Sequence, residues 1–241
     1  MSDRVIVPDV AALSQEMARR FVADAKAAVG ARGRVSFCLS GGSTPKSLYA
    51  LLATDAYRDQ VDWSKVHFFW GDERCVPPDH PDSNYRMANE TLLSKIDVPA
   101  ANIHRMPAEE SDVAAAARSY EERLRSFFGP VEWPAFDVML LGMGPDGHTA
   151  SLFPGTQALQ ETRLWVVPNH VEKLNSWRLT LTYPVINHAR AVYFLVGGAD
   201  KAQVLKTVVS EPGGNQYPSQ RIQPVDGKLT WLIEQAAASA L

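Results

Sequence analysis

At 241 residues, with 46% hydrophobic and 21% charged side chains, the chain has the composition of a globular protein and enough length to bury a full core. A formal net charge of −3, from 24 basic and 27 acidic side chains, argues against nucleic acid or an anionic membrane as the main partner, so an anionic ligand has to be bound locally. The two cysteines, Cys38 and Cys75, stand in no metal-type or disulfide-type spacing, no apolar leader follows Met1, and no apolar run approaches the length of a membrane span. These features predict a cytoplasmic protein of a reducing compartment.

Apolar residues at 10, 13, 17, 21, 25 and 29 follow helical spacing and give one buried face, stopped by Gly30 and Gly33. Val35 to Leu39 then reads as a short buried strand running into Ser40-Gly41-Gly42-Ser43-Thr44-Pro45 and a helix to about Leu52. In that turn the glycines allow close backbone approach, and Ser43 or Thr44 is expected to cap a helix beginning at Pro45. Free N–H groups at a helix start, with hydroxyls beside them, suit a phosphate. The P-loop pattern G-x-x-x-x-G-K-[ST] is absent.

Val66 to Trp70 reads as the next buried strand, and it ends in Gly71-Asp72-Glu73-Arg74. Three adjacent ionisable residues after a central strand are either solvated or used. Asp82-Ser83-Asn84-Tyr85 looks like the cap of a helix reaching about Leu93, and Asp112 opens an amphipathic helix that ends near Gly129-Pro130.

Asp137 to Leu141 has the length and continuity of a strand buried on both faces, followed by glycines that deliver His148 at a loop. Gly142-Met143-Gly144-Pro145-Asp146-Gly147 matches the letters of the dinucleotide fingerprint, but Pro145 removes a donor and Asp146 sets a carboxylate where the pyrophosphate would lie. The segment therefore reads as a His-bearing turn. Strands are expected at Leu164 to Val167, Arg178 to Leu181 and Ala191 to Val196, the last ending in Gly197-Gly198-Ala199-Asp200-Lys201, and a closing helix from Asp226 or Gly227 through Ala238.

Strands alternate with helices throughout and no linker or repeat interrupts them, which predicts a single domain over residues 1–241: an α/β fold with a mostly parallel, doubly wound, Rossmann-like sheet covered by helices on both faces. If the strands are parallel, Leu39, Trp70, Leu141 and Val196 all end on one edge. That edge then gathers the SGGSTP turn, Asp72, Arg74, Asp146, His148 and Lys201 into one crevice. A phosphorylated small molecule fits this set, with the phosphate on N–H groups and cations and the imidazole left for proton transfer. No G-x-S-x-G elbow is present, so general acid/base chemistry is expected in preference to an acyl-enzyme. The six histidines (His67, His80, His104, His148, His170, His188) form no H-x-x-H or H-E-x-x-H pair, and neither a metal nor a cofactor is expected.

FCLSGGSTPKSLY, FFWGDERCVPPDHPDSNYRMA, FDVMLLGMGPDGHTASLFPG and the GGADKA turn together resemble the glucosamine-6-phosphate isomerase/6-phosphogluconolactonase family, over nearly the whole chain and in the expected order. The isomerase/deaminase branch has a Glu soon after the His, in a stretch like A-F-N-E-P; here Ala150-Ser151-Leu152-Phe153-Pro154 has no acid, and Arg74 stands where that branch tends to have Tyr. Both departures favour the lactonase branch over the deaminase. A non-catalytic sugar-phosphate sensor is the third reading, disfavoured because His148, Asp146, Asp72 and Arg74 are all kept. The resemblance implies hydrolysis of 6-phospho-D-glucono-1,5-lactone to 6-phosphogluconate in the pentose phosphate pathway, with neutral His148 as base. It implies Asp146 as a partner for the imidazole or the water, or else a turn residue, and Arg74 on phosphate or carbonyl. Asp72 is either catalytic or only a partner for Arg74. Gly41, Gly42, Ser43, Thr44, Arg178 and Lys201 are implied to hold the phosphate. The expected partner is the phosphosugar lactone, and the expected assembly a monomer or small homo-oligomer.

Overall fold

The computed structural model describes residues 2–241. In chain order the elements are β1 (Asp3–Val7), α1 (Val10–Arg32), β2 (Val35–Leu39), α2 (Ser43–Leu52), α3 (Asp55–Arg58), β3 (Val66–Trp70), β4 (Asp72–Arg74), α4 (Asn84–Thr91), α5 (Val113–Phe128), β5 (Val138–Leu141), β6 (Val166–Val171), β7 (Ser176–Leu181), α6 (Tyr183–Asn187), β8 (Ala191–Val196), α7 (Ala202–Ser210) and β9 (Lys228–Glu234). Short 3-10 turns lie between several of them.

Six strands form one parallel sheet in the order β1-β9-β8-β5-β2-β3. From β2 the chain moves outward to β3, whereas the strand on its other side, β5, is entered from β3 and leads away through β8 to β9. The winding therefore reverses between β2 and β5. Right-handed crossovers put helices of opposite winding direction on opposite faces, and a crevice opens at the carboxyl ends of the two strands where the direction changes.

The aromatic packing follows that division. Phe21 of α1 stacks on Phe37 of β2 with ring centroids 4.2 Å apart, Phe37 meets Phe68 on the same face, and Trp63 stacks on both Phe21 and Phe68. Phe69, one residue on in β3, points to the other face and packs with Phe127, Phe128 and Phe136. β2, β5 and β8 are buried along their whole length, which is why their sequences are continuous apolar runs with no alternation. Ser36 is the polar exception: its N–H and hydroxyl both donate to Asp137 Oδ2, at 2.8 and 2.9 Å, tying β2 to the start of β5. From α5, Tyr120 Oη accepts from Trp70 N at 3.0 Å and fixes the end of β3.

Four expectations are corrected. The closing segment is strand β9, not a helix: Leu229-Thr230-Trp231-Leu232-Ile233 is buried on both faces between β8 and β1, and β-branched and aromatic residues favour that setting. The strands expected near 164–167 and 178–181 leave the parallel sheet and pair antiparallel as β6 and β7 in a separate three-stranded sheet, order β4-β7-β6, which also recruits Asp72–Arg74 as a strand. Helix α4 stops at Thr91, short of Leu93. Helix α2 begins at Ser43, two residues before Pro45, with Gly42 as its N-cap and no side-chain cap hydrogen bond.

Candidate active site

The start of α2 forms one wall of the crevice. Gly42 takes φ 105°, a value open to glycine, and the helix begins without a side chain bonded to its first turn. The Ser43 and Thr44 hydroxyls are therefore not spent on capping, and the leading N–H groups carry the positive end of the helix dipole. Gly41 lies against Asn84, whose Oδ1 a Cβ at that position would meet at 2.0 Å.

The second wall comes from β4. Gly71 N donates to Leu39 O at 3.0 Å, holding the end of β3 beside the SGGSTP turn. Strand alternation then sorts the charged triplet. Glu73 turns away, where its carboxylate accepts from the backbone N–H groups of Arg74, Asn84 and Tyr85 at 2.8 Å each and from Ser83 Oγ at 3.1 Å, anchoring the start of α4. Burial pushes its pKa up, against the pull of those N–H groups. Asp72 and Arg74 point to the opposite side. Asp72 Oδ2 accepts from Ser151 Oγ at 2.7 Å, and Asn84 Nδ2 donates to Asp72 O at 3.0 Å. Arg74 Nη1 donates to Asp82 O at 2.7 Å. In the β4–β7 register Arg74 stands directly opposite Arg178, and the Nε of each is buried without a hydrogen-bond partner. Burial and the neighbouring Arg74 charge both lower the pKa of Arg178.

The third wall is the loop after β5. Gly142 to Gly147 starts no helix, as the donor-poor sequence implies. Gly144 N donates to His148 O at 3.0 Å and Gly147 N to Gly144 O at 2.9 Å, closing a compact turn that Thr149 Oγ1 pins to Gly142 O at 2.8 Å. The imidazole lies against Gly144, stacks on Phe153 at 4.0 Å between centroids, and meets Asp146 Oδ1 through Nδ1 at 2.5 Å. Asp146 Oδ2 in turn contacts Lys173 Nζ, from the turn between β6 and β7. Ala150 then adopts a left-handed φ of 47°, an uncommon state for a residue with a Cβ, just before Ser151 reaches Asp72.

His148 is held well below the usual imidazole range, down to about 4: burial is the main cause, Asp72 pulls the other way, and Arg178, Arg74 and Lys201 add to the lowering. The ring is therefore neutral at physiological pH. With Nδ1–H donating to Asp146, the proton-accepting lone pair is on Nε2, which has no hydrogen-bond partner among the described residues.

Lys201 completes the enclosure from the loop after β8, its Nζ donating to Gly197 O at 2.5 Å. The resulting cavity of ≈ 220 Å³ is lined by Gly41, Gly42, Ser43, Thr44, Asp72, Arg74, His148 and Lys201, so the sequence-derived residues from four separate strand ends do converge. Asp146 and Arg178 lie one contact back, behind His148 and beside Arg74 respectively. Ser40 of the SGGSTP turn lines the cavity as well, and so do Asn84 and Met143, which the sequence did not single out, nor did it single out Ser151 and Lys173, which bind Asp72 and Asp146. Asn84 was legible only as part of a helix cap.

Fold and cavity together define an open α/β protein with a cationic pocket at its topological switch point and one neutral, unspent base inside it. The description "Glucosamine-6-phosphate isomerases/6-phosphogluconolactonase" matches residues 8–231, and the chain belongs to that family. It is 45% identical over 240 residues to a 6-phosphogluconolactonase of Nostoc sp., covering 98% of this chain and 97% of that one. It is 49% identical over 219 residues to a 6-phosphogluconolactonase of Synechocystis sp., covering 89% and 88%. Among solved structures, the 6-phosphogluconolactonase from Trypanosoma brucei superposes with a TM-score of 0.89 at 31% identity, covering 100% of this chain and 99% of that one. A monomeric glucosamine-6-phosphate deaminase shares the fold, TM-score 0.83, at 21% identity.

Proposed function

We propose that this chain hydrolyses 6-phospho-D-glucono-1,5-lactone to 6-phospho-D-gluconate, the lactone-opening step of the pentose phosphate pathway. The observation that carries the reading is a neutral His148 with an unengaged Nε2 in the same small cavity as the cations and the uncapped start of α2.

The substrate phosphate binds at the first turn of α2, with the hydroxyls of Ser43 and Thr44, Lys201 and Arg178, and Arg74 serves either this phosphate or the reacting carbonyl. That places the lactone ring toward His148. Nε2 takes a proton from water as the water oxygen bonds to C1, and the carbonyl becomes a tetrahedral oxyanion. Its donors are either Arg74 or the N–H groups of the glycine turns. Collapse of the intermediate breaks the bond between C1 and the ring oxygen, and the imidazolium returns its proton to that oxygen. The new carboxylic acid loses its proton to solvent, and His148 is neutral again. Asp146 keeps the reactive tautomer by accepting from Nδ1. Asp72, bonded to Ser151, steadies the floor of the site and lends negative charge to the imidazolium as it forms.

The absence of a carboxylate between Ala150 and Pro154 speaks against the deaminase reading, since the side chain stacked on His148 is Phe153. The test is release of 6-phosphogluconate from freshly generated lactone, spontaneous hydrolysis subtracted, beside an assay for ammonia from glucosamine 6-phosphate. Turnover of the lactone alone is expected; ammonia release instead would overturn the proposal.

A further inference from the structure

Lys173 is 27 residues from Asp146 in sequence and sits on the turn joining β6 to β7. Its ammonium contacts Asp146 Oδ2 and lies 4.9 Å from the centre of the Phe153 ring, the same ring that stacks on His148. The side chain is 53% exposed, and an exposed ion pair of this kind ordinarily contributes little to stability. What sets this pair apart is the other carboxylate oxygen, which is bonded to the imidazole Nδ1. Lysine, carboxylate and imidazole form one line, and a 730 Å³ hollow lined by Asp146, Phe153, His170, Glu172 and Lys173 leaves its outer end open to water.

We propose that Lys173 is a positioning residue for the reaction: by neutralising Asp146 from outside, it lets the carboxylate fix the orientation and tautomer of His148 without raising the proton affinity of Nε2. This inference rests on the hydrolytic reading above. An unpaired carboxylate against an imidazole would favour the imidazolium and take the base out of play as the pH falls. The charges around the ring come from every neighbouring element: Asp146 on its own loop, Asp72 and Arg74 on β4, Arg178 on β7, Lys201 before α7, and Lys173 on the turn between β6 and β7. Lys173 alone among these acts through Asp146. The Phe153 contact gives it a second function, holding the turn against the aromatic face that braces the imidazole.

The experiment is a titration of His148 by NMR on histidine-labelled protein, for the wild type, K173M, K173R, D146N and the D146N/K173M double variant, with the pH profile of kcat/KM for the lactone in parallel. In K173M the His148 titration should move to higher pH by roughly 0.2 to 0.7 of a pH unit, the scale of an exposed ion pair. The acid limb of kcat/KM should move with it, because that limb reports the free enzyme's base. K173R should restore the wild-type midpoint, and in the D146N background the K173M substitution should shift nothing further. A His148 midpoint in K173M equal to the wild type, or a shift that persists undiminished in D146N, would overturn the proposal. If no variant, the wild type included, opens the lactone, the hydrolytic reading fails, while the titration still reports on the coupling. Methionine preserves most of the hydrocarbon length at an exposed turn, so loss of fold does not stand in for the result.

Discussion

Arg74 and Arg178 face each other directly across the β4–β7 pair, each with a buried Nε that has no hydrogen-bond partner among the described residues. Like charges in that cross-strand position are destabilising. They are tolerable where an anion between or beside them is part of the working molecule. Accordingly 6-phosphogluconate or inorganic phosphate should raise the Tm of the wild type, and R178M should lose most of that rise. The same variant should raise KM for the lactone roughly 10- to 100-fold, the worth of a hydrogen bond to a charged group. A KM unchanged in R178M would move the phosphate elsewhere in the cavity.

Lys201→Ala makes a parallel case from the opposite wall. The ammonium lines the cavity beside the start of α2, where Thr44 Oγ1 lies 3.3 Å from a Cβ built on Gly197. If it holds ground-state phosphate, the variant raises KM and leaves kcat within a few-fold, as expected for a group that binds substrate and transition state alike. Steady-state kinetics on the lactone separate the two constants, and a fall in kcat with KM unchanged would assign Lys201 to the reacting carbonyl instead.

His148→Asn removes the neutral base from the cavity. Turnover should fall by about 10²–10⁴-fold with little change in Tm. In the wild type, the imidazole held down to about 4 means that kcat/KM stays near its plateau through pH 6 and falls only toward pH 4, well below the range of an ordinary histidine. An acid limb centred near 6.5 would show that His148 is either not the base or not buried as described.

The parallel sheet and its crevice were legible in the sequence because β2, β3, β5 and β8 are largely apolar runs, broken only by Ser36 and His67, each followed within two residues by glycine. Topology did the rest: four carboxyl ends on one edge bring Gly42, Arg74, His148 and Lys201 together with no further information. Strand β9 was hidden because Lys228 and Glu234 flank a run as consistent with a buried helix as with a strand, and only its place between β1 and β8 decides. The small antiparallel sheet was hidden for a related reason: GDER looks like a loop until β7 pairs with it. Lys173 and Ser151 could not be read as partners of Asp146 and Asp72, since both contacts are made by side chains across long sequence separations. Glu73 shows the converse. A charge beside two site residues turned out to anchor α4, a role fixed by strand alternation.

Two histidines titrate far below their unfolded value, and this has a consequence for stability. His104 is pushed down to about 4, by burial first and then by His67, Arg123 and Arg34, and His148 to about 4 as well. Between about 6.5 and about 4 the unfolded chain binds protons at these positions that the native state refuses, so stability is lost as pH falls through that window. His67, bonded to His104 at 3.1 Å, is lowered as well, by burial and by Arg34, and His104→Gln removes one of these depressed groups. Urea unfolding at about pH 7 and about pH 5 should show a smaller loss of stability in the variant than in the wild type. An equal loss in both would mean that His104 takes up its proton in the folded protein.

Gly144→Ala tests how closely the backbone sets the imidazole. A Cβ at this position would lie 2.2 Å from both Cε1 and Nδ1 of His148 and 2.9 Å from Asp146 Oδ1, distances no pair of atoms can hold. The ring cannot retreat freely, because Phe153 stacks on it at 4.0 Å and the loop is closed by the Gly144 N to His148 O bond. The methyl group therefore displaces the imidazole from Asp146 and swings Nε2 away from the substrate carbonyl. Misplacement of about 1 Å at a reacting centre costs on the order of 100-fold, so kcat should fall by about that factor. Overpacking should cost about 1–3 kcal/mol of stability, leaving a folded protein whose phosphate site on α2 is intact. KM and phosphate-induced stabilisation should consequently stay near their wild-type values. A variant that turned over normally would show that the glycine is required by the turn alone, and that the imidazole has room this packing denies it.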